Sequence, residues 1–193
     1  TPDFSKVSTS SEKGLYKAQD DLGTSYYFRG AVNNNWVKFG KDSSGNDIYW
    51  RIIRINGDGS IRMIYSGTTA PTSSTATVMT GTGTQISTSA FNSSYNNPSY
   101  VGYMYTASQQ HGNSTSSTIK TTLENWYKTT TLETDSATKA LVSQEQIFCN
   151  DRSVTSGSFS TSSTFYYAAY TRLVTNKSPI LTCPTASDKF TSR

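Results

Sequence analysis

The sequence predicts an α+β fold dominated by β-structure: a twisted antiparallel sheet of hairpins with one or two helices and long irregular loops. Three observations carry this. Residues 49–65, YWRIIRINGDGSIRMIY, set two isoleucine-rich alternating runs on either side of Asn56-Gly57-Asp58-Gly59, whose residues tolerate the positive φ of a tight reversal. Ile119, Leu123, Trp126 and Tyr127 recur at i, i+4, i+7 and i+8, one face of a helix. Between such segments lie stretches of Ser, Thr and Gly too polar to build a core and too long for tight turns.

Taken in order, residues 1–13 are polar and read as a flexible linker. Order begins at Gly14 with Leu15 and Tyr16. Tyr26 to Gly30 and Asn35 to Gly40 read as two short strands forming a hairpin around Asn33 to Asn35. The polar loop Lys41 to Asp47 then feeds the hairpin of 49–65. Apolar residues alternate onto both faces of that ribbon, so it is expected to be central and covered on both sides. Thr68 to Ser89 reads as an exposed loop, and Phe91 to Tyr105 as a turn at Asn96-Asn97-Pro98 followed by a short strand. Ser116 or Ser117 can cap the helix that follows. A shorter helix is expected after Thr134 or Asp135, with Ala137, Ala140 and Leu141 on one side. Gln146 to Cys149 and Phe165 to Val174 read as returning strands, separated by a loop over Ser153 to Thr164.

A chain of 193 residues is enough for one domain, assigned to residues 14–193, which should bury about 70% of its unfolded surface. Charged residues make up only 16%, and roughly a third of all positions are Ser or Thr, the bias of exposed secreted or surface proteins. The net charge of +4 is spread over scattered Lys and Arg, with no run that would neutralise several phosphates together; nucleic acid is not an expected partner. No apolar run approaches the ~20 residues that span a bilayer, so attachment to a membrane requires an anchor outside this chain. Thr1 opens without the apolar core of a signal peptide, as expected of a trimmed ectodomain.

Cys149 and Cys183 are the two cysteines. In a Ser/Thr-rich chain without metal-ligand clusters they read as one disulfide, with two buried free thiols as the alternative. Closing a loop of about 35 residues stabilises a fold by about 4 kcal/mol in the chain-entropy description. A zinc site has only His111 to add to the pair.

Catalytic constellations find little support. The SxxK spacing occurs at Ser117/Lys120, Ser10/Lys13 and Ser136/Lys139, as expected by chance in a serine-rich chain, with Ser187-Asp188-Lys189 only approximating a companion element. A Cys–His pair with His111 needs a reduced thiolate, and His111 itself sits in a polar QQHGN loop and reads as solvated. Asp151 draws attention as a carboxylate beside the Ile147 to Cys149 strand, though Asn150-Asp151-Arg152 reads first as a structural Asp–Arg pair. No catalytic residue, cofactor site or metal site is therefore nominated. Calcium is a minor alternative at Asp42, Asn46 and Asp47 or at Asn56 and Asp58, whose turn chemistry accounts for them equally well. Most of the thirteen tyrosines read as structural; the candidates for ligand contact are Trp36, Tyr95, Tyr100 and Tyr103.

Several segments together resemble an uncharacterised family: 14–40 (GLYKAQDDLGTSYYFRGAVNNNWVKFG), the hairpin 49–65, 91–105 (FNSSYNNPSYVGYMY), the helix SSTIKTTLENWYK, IFCNDRS at 147–153, and RLVTNKSPILTCPTASDKF. They are similar to secreted and surface domains of gut Firmicutes, DUF6273-like, often found in membrane-anchored or pilin-like surface proteins. The resemblance implies a single extracellular domain at the surface of a Gram-positive bacterium, with the cysteines paired. It implies no catalytic motif. The function expected from it is a non-enzymatic module for adhesion, display or ligand binding, carbohydrate included, with a host or bacterial surface glycan or protein as partner. A cell-wall or glycan-processing hydrolase is the alternative. The mixture of hairpins, irregular loops and few helices also resembles, more loosely, C-type-lectin-like and sulfatase-modifying-factor-like folds.

Overall fold

The computed structural model describes residues 14–29, 34–72 and 81–191. The expected linker over 1–13, part of the Asn33 to Asn35 turn and part of the loop after Thr68 lie outside them. The fold is mixed α+β and rich in antiparallel β-structure, with few helices. Its contacts divide the chain into two compact units, each made of two stretches: residues 1–86 with 126–142, and residues 87–125 with 143–193.

The first unit is a five-stranded antiparallel sheet of β1 (Gly14–Asp20), β2 (Gly23–Arg29), β3 (Trp36–Lys41), β4 (Asp47–Ile55) and β5 (Ile61–Tyr65). β4 is its hub. β5 pairs with it from Trp50↔Tyr65 to Ile55↔Ile61, while β3 meets Asp47, Tyr49, Trp50 and Arg51 and β2 meets Arg54 and Ile55. Each of β2 and β3 shares residues of β4 with β5, so both lie along the edge opposite β5. The expected β2–β3 hairpin is therefore corrected: β2 pairs in full register with β1 across the two-residue reversal at Asp21 and Leu22.

The β4–β5 turn closes as its sequence requires. Asn56 N–H donates to Ser60 O, Gly59 N–H donates to Asn56 O, and Gly59 takes φ +85°. The expectation that both faces of the ribbon are covered fails. A bulge between Ile52 and Arg54 breaks the two-residue alternation on which it rested, and Ile53, Ile61 and Ile64 remain exposed, Ile61 by 53%.

Buried Tyr16, Ile48 and Leu132 mark the apolar interior of this unit. Trp50, Tyr65 and Trp126 pack ring against ring at centroid distances of 5.4–6.4 Å, and the Trp50 indole donates to Phe39 O at 2.7 Å. Trp126 ends helix α1 (Thr118–Tyr127), whose start is capped by the buried Ser117 hydroxyl accepting from Lys120 N–H. Two short helices follow, α2 (Thr131–Thr134) and α3 (Ser136–Ala140). Asp135 caps α3 by accepting from Thr138 N–H at 2.8 Å. The apolar side predicted for α3 is not buried: Ala137 and Ala140 are exposed and Leu141 is 76% exposed. Leu132 on α2 supplies the buried contact instead, lying against Gly40.

A second carboxylate organises this unit. Asp20, at the end of β1, accepts from Leu22 N–H, Ser25 Oγ, Gly57 N–H and Arg54 Nη2, at 2.7–3.0 Å. It thereby joins the β1–β2 and β4–β5 turns.

The second unit holds two small ladders, β6 (Met104–Tyr105) with β7 (Thr115–Ser116), and β8 (Ile147–Cys149) with β9 (Lys189–Thr191). Cys149 and Cys183 are joined by a disulfide. The expected strand over Phe165 to Val174 is a correction: after a single bridge at Tyr167, Ala168–Tyr170 form a helical turn, α4, which runs into a wide π turn over Thr171–Thr175. Tyr166, Tyr170, Leu173 and Val174 share the i, i+4, i+7, i+8 period of a helix, which the aromatic and β-branched composition of the segment masks.

Candidate functional site

Asn92 and Asn97 shape a loop in the second unit. The Asn97 side chain accepts from Ser99 N–H and Ser99 Oγ, capping a short 3₁₀ turn over Pro98–Tyr100, and Asn97 N–H donates to Ser94 O. Asn92 Nδ2 donates to Tyr100 O, tying the two ends of the loop. Phe91 O accepts from Ile119 N–H at 3.2 Å, which fixes the loop's first residue to the start of α1.

The loop encloses an open cleft of about 610 Å³ lined by Phe91, Tyr95, Tyr100, Ser93 and Ser94 among others. Its rings differ in their support. Tyr100 packs on Tyr105 at 4.6 Å between centroids, and Phe91, 51% exposed, packs on Tyr103 at 5.8 Å. Tyr95 is 93% exposed. The Ser93 and Ser94 hydroxyls make no hydrogen bond to the described residues. Among the described residues, no carboxylate, ammonium, guanidinium or imidazole lines the cleft. Rings with uncommitted hydroxyls beside them suit a ligand that has both an apolar face and hydroxyl groups.

Of the four aromatics singled out from sequence, Tyr95 and Tyr100 line this cleft, and Tyr103 backs Phe91. Trp36 belongs to the first unit, on β3, with its ring edge-on to Tyr49 at 5.8 Å. Phe91 is not among those four. It opens the FNSSY stretch, where a single ring before a polar run carries no periodic signal.

Beside this cleft in the chain lies a buried polar centre. Asp188 is fully buried; its Oδ1 accepts from Gly112 N–H and its Oδ2 from His111 Nδ1 at 2.7 Å. Arg152, 1% exposed, donates to Ser99 O and Gly112 O at 2.6 and 2.7 Å. Burial lowers its guanidinium pKa from the usual high value, and the nearby Asp188 charge partly opposes that. His111 is thus anchored on a buried carboxylate, which corrects the expectation of a solvated loop histidine. Asp151 pairs with Arg172 rather than its neighbour Arg152. Burial pushes the Asp151 carboxyl up, but hydrogen bonds from Ser153 and Arg172 outweigh it and hold the pKa below the ordinary carboxylate value. That side chain is an ion-pair partner at neutral pH, with no proton to give as a general acid.

The two loops weighed for calcium are turn structures. Asp42 Oδ1 accepts from Ser44 and Asn46 N–H, and Asp47 receives both Lys38 and Lys41 ammonium groups. Asn56 Oδ1 accepts from Arg62, and Asp58 Oδ1 from Ser60. These oxygens already hold hydrogen-bond donors or cationic groups. Among the described residues no three His, Cys, Asp or Glu side chains gather as metal ligands do, and no helix is long and apolar enough to cross a membrane.

No protein-family model, curated protein or solved structure significantly matches this chain.

Proposed function

We propose that this chain is a non-enzymatic extracellular module of a bacterial surface protein that binds a glycan through the cleft at Phe91, Tyr95 and Tyr100. The observation that carries the reading is Tyr95, a large ring 93% exposed at the rim of a cleft that Phe91, Tyr100, Ser93 and Ser94 also line. Leaving such a ring in water forgoes the stabilisation of burying it, on the order of 2 kcal/mol, so a contact made outside the fold gives the exposure a use. The electron-rich face of an aromatic ring attracts the weakly positive C–H face of a pyranose, while Ser93 and Ser94 can exchange hydrogen bonds with its hydroxyls. The Cys149–Cys183 disulfide supports an oxidising, extracellular setting. The resemblance of 14–40 and 147–153 to the DUF6273-like surface domains supports a place on the surface of a Gram-positive bacterium, through an anchor elsewhere.

The test is binding of the untagged chain to an immobilised glycan panel, with Tyr95→Ala alongside. Retention that falls about tenfold in the variant supports the reading. Absence of retention at high glycan density rejects it.

One observation favours a second reading, a cell-wall or glycan-processing hydrolase: His111 is oriented by a buried Asp188, the arrangement of a general base. Release of soluble fragments from peptidoglycan or polysaccharide, abolished by His111→Ala with the fold intact, would establish it. Cys149 is tied up in the disulfide and is not available as a nucleophile for His111.

A further inference from the structure

We infer that the cleft at Phe91, Tyr95 and Tyr100 selects neutral sugars and binds them without calcium. The inference rests on the glycan-binding reading above and narrows its ligand class. Recognition of sialic acid, uronate or sulfate in water depends on a cationic partner, because an anion leaves a full hydration shell and regains its energy only from charge-assisted hydrogen bonds. Among the described residues the cleft offers none: its lining carries no Lys, Arg or His. The cations of the surrounding fold are engaged elsewhere: Lys120, on the first turn of α1, pairs with Glu124 one helical turn on, and Arg152, whose guanidinium donates to Ser99 O, is 1% exposed. Recognition through a bound calcium requires several carboxylate or carbonyl oxygens at one point. Among the described residues no carboxylate lines the cleft; the Asn97 side-chain oxygen is occupied in capping Ser99, and the buried Asn92 Oδ1 is a single amide oxygen, short of the several that calcium takes.

What remains is an electroneutral surface with three rings, the small apolar Ala90 and Val101, the Asn92 amide oxygen and two uncommitted hydroxyls. A neutral hexopyranose with one face of axial C–H bonds complements it: the face lies on a ring, and the equatorial hydroxyls reach Ser93 and Ser94 or stay in water. Such a ligand loses little hydration on binding, and its affinity comes from ring contact, which varies little with salt.

The experiment is a panel of immobilised neutral, sialylated, uronate-containing and sulfated glycans at matched density, probed with the full chain with and without EDTA, and with Tyr95→Ala and Phe91→Ala. Neutral glycans are expected to be retained equally in EDTA and at raised salt, and to be lost about tenfold in either variant. Tyr95→Ala touches an exposed ring and keeps the test valid if Phe91→Ala fails to fold. Retention confined to acidic glycans, or abolished by EDTA, overturns the inference and leaves the glycan-binding reading standing. Retention of neutral glycans that survives both substitutions overturns the assignment to this cleft. Retention of nothing overturns both.

Discussion

His111 donates from Nδ1 to Asp188 Oδ2 at 2.7 Å, joining a half-exposed loop to a fully buried carboxylate 77 residues further along the chain. The same carboxylate accepts from Gly112 N–H, and Arg152 N–H lies 3.4 Å from Oδ2. Asp188 is fully buried, accepts from both His111 and Gly112, and its charge partly opposes the lowering that burial imposes on the Arg152 guanidinium pKa, so the two removals differ in kind. Asp188→Ala leaves these donors without their acceptor and is expected to destabilise the chain by about 2–4 kcal/mol. His111→Ala removes one partly exposed hydrogen bond, worth about 1 kcal/mol. Denaturant midpoints of the two variants measure this directly, and equal losses would contradict the ranking.

Asp20 makes the stability pH-dependent at the acid end. Burial pushes its carboxyl up, but hydrogen bonds from Gly57, Leu22, Ser25 and Arg54 together outweigh it and lower the pKa from 3.8 to about 2. A folded-state pKa below the unfolded one means that the unfolded chain takes up the proton first. The contribution, about 2 kcal/mol, is therefore whole above 3.8 and is lost as pH falls from 3.8 through 2. Asp20→Asn is expected to lower stability at pH 7 and to flatten this part of the stability–pH curve. An unchanged acid slope in the variant would assign the dependence to other carboxylates.

Gly57 is required by close approach. A Cβ there would stand 2.3 Å from Gly23 N, where the β1–β2 and β4–β5 turns meet, and its own N–H donates to Asp20 at 3.0 Å. Gly57→Ala is predicted to cost about 1–3 kcal/mol through backbone displacement. A melting temperature within a degree of the parent chain would show that the turns separate freely.

The disulfide closes a sequence separation of 34 residues and holds the segment that leads to Asp188. Intact mass before and after reduction and alkylation should show no alkylated thiol in the native protein and two after reduction. Cys149→Ser with Cys183→Ser is expected to lower stability by about 4 kcal/mol, the chain-entropy value for such a loop.

Local patterns were legible where one short stretch of chain determines its own conformation. The Asn56 to Gly59 reversal closes through its own backbone, Ser117 and Asp135 cap the helices that follow them, and a cysteine pair in a hydroxyl-rich chain reads as a disulfide. The reading failed where a distant partner decides. Tyr26 to Arg29 carries the alternation of a strand and says nothing about pairing with β1 and β4 rather than β3. Leu141 looks buried by spacing and is exposed, because Leu132 on α2 makes the buried contact against Gly40.

The sequence by itself determined the β-rich α+β class, the central hairpin, the helix from Thr118 and the aromatic character of the candidate site, all of which follow from side-chain period, turn chemistry and composition. Only the tertiary structure decided which residues meet: Phe91 beside Tyr103, Asp20 beneath Gly57, His111 on Asp188, and Asp151 with Arg172. Periodicity reports the face on which a side chain lies. Contacts between residues tens of positions apart depend on how loops close and on which polar partner satisfies each buried charge, and no local pattern encodes that.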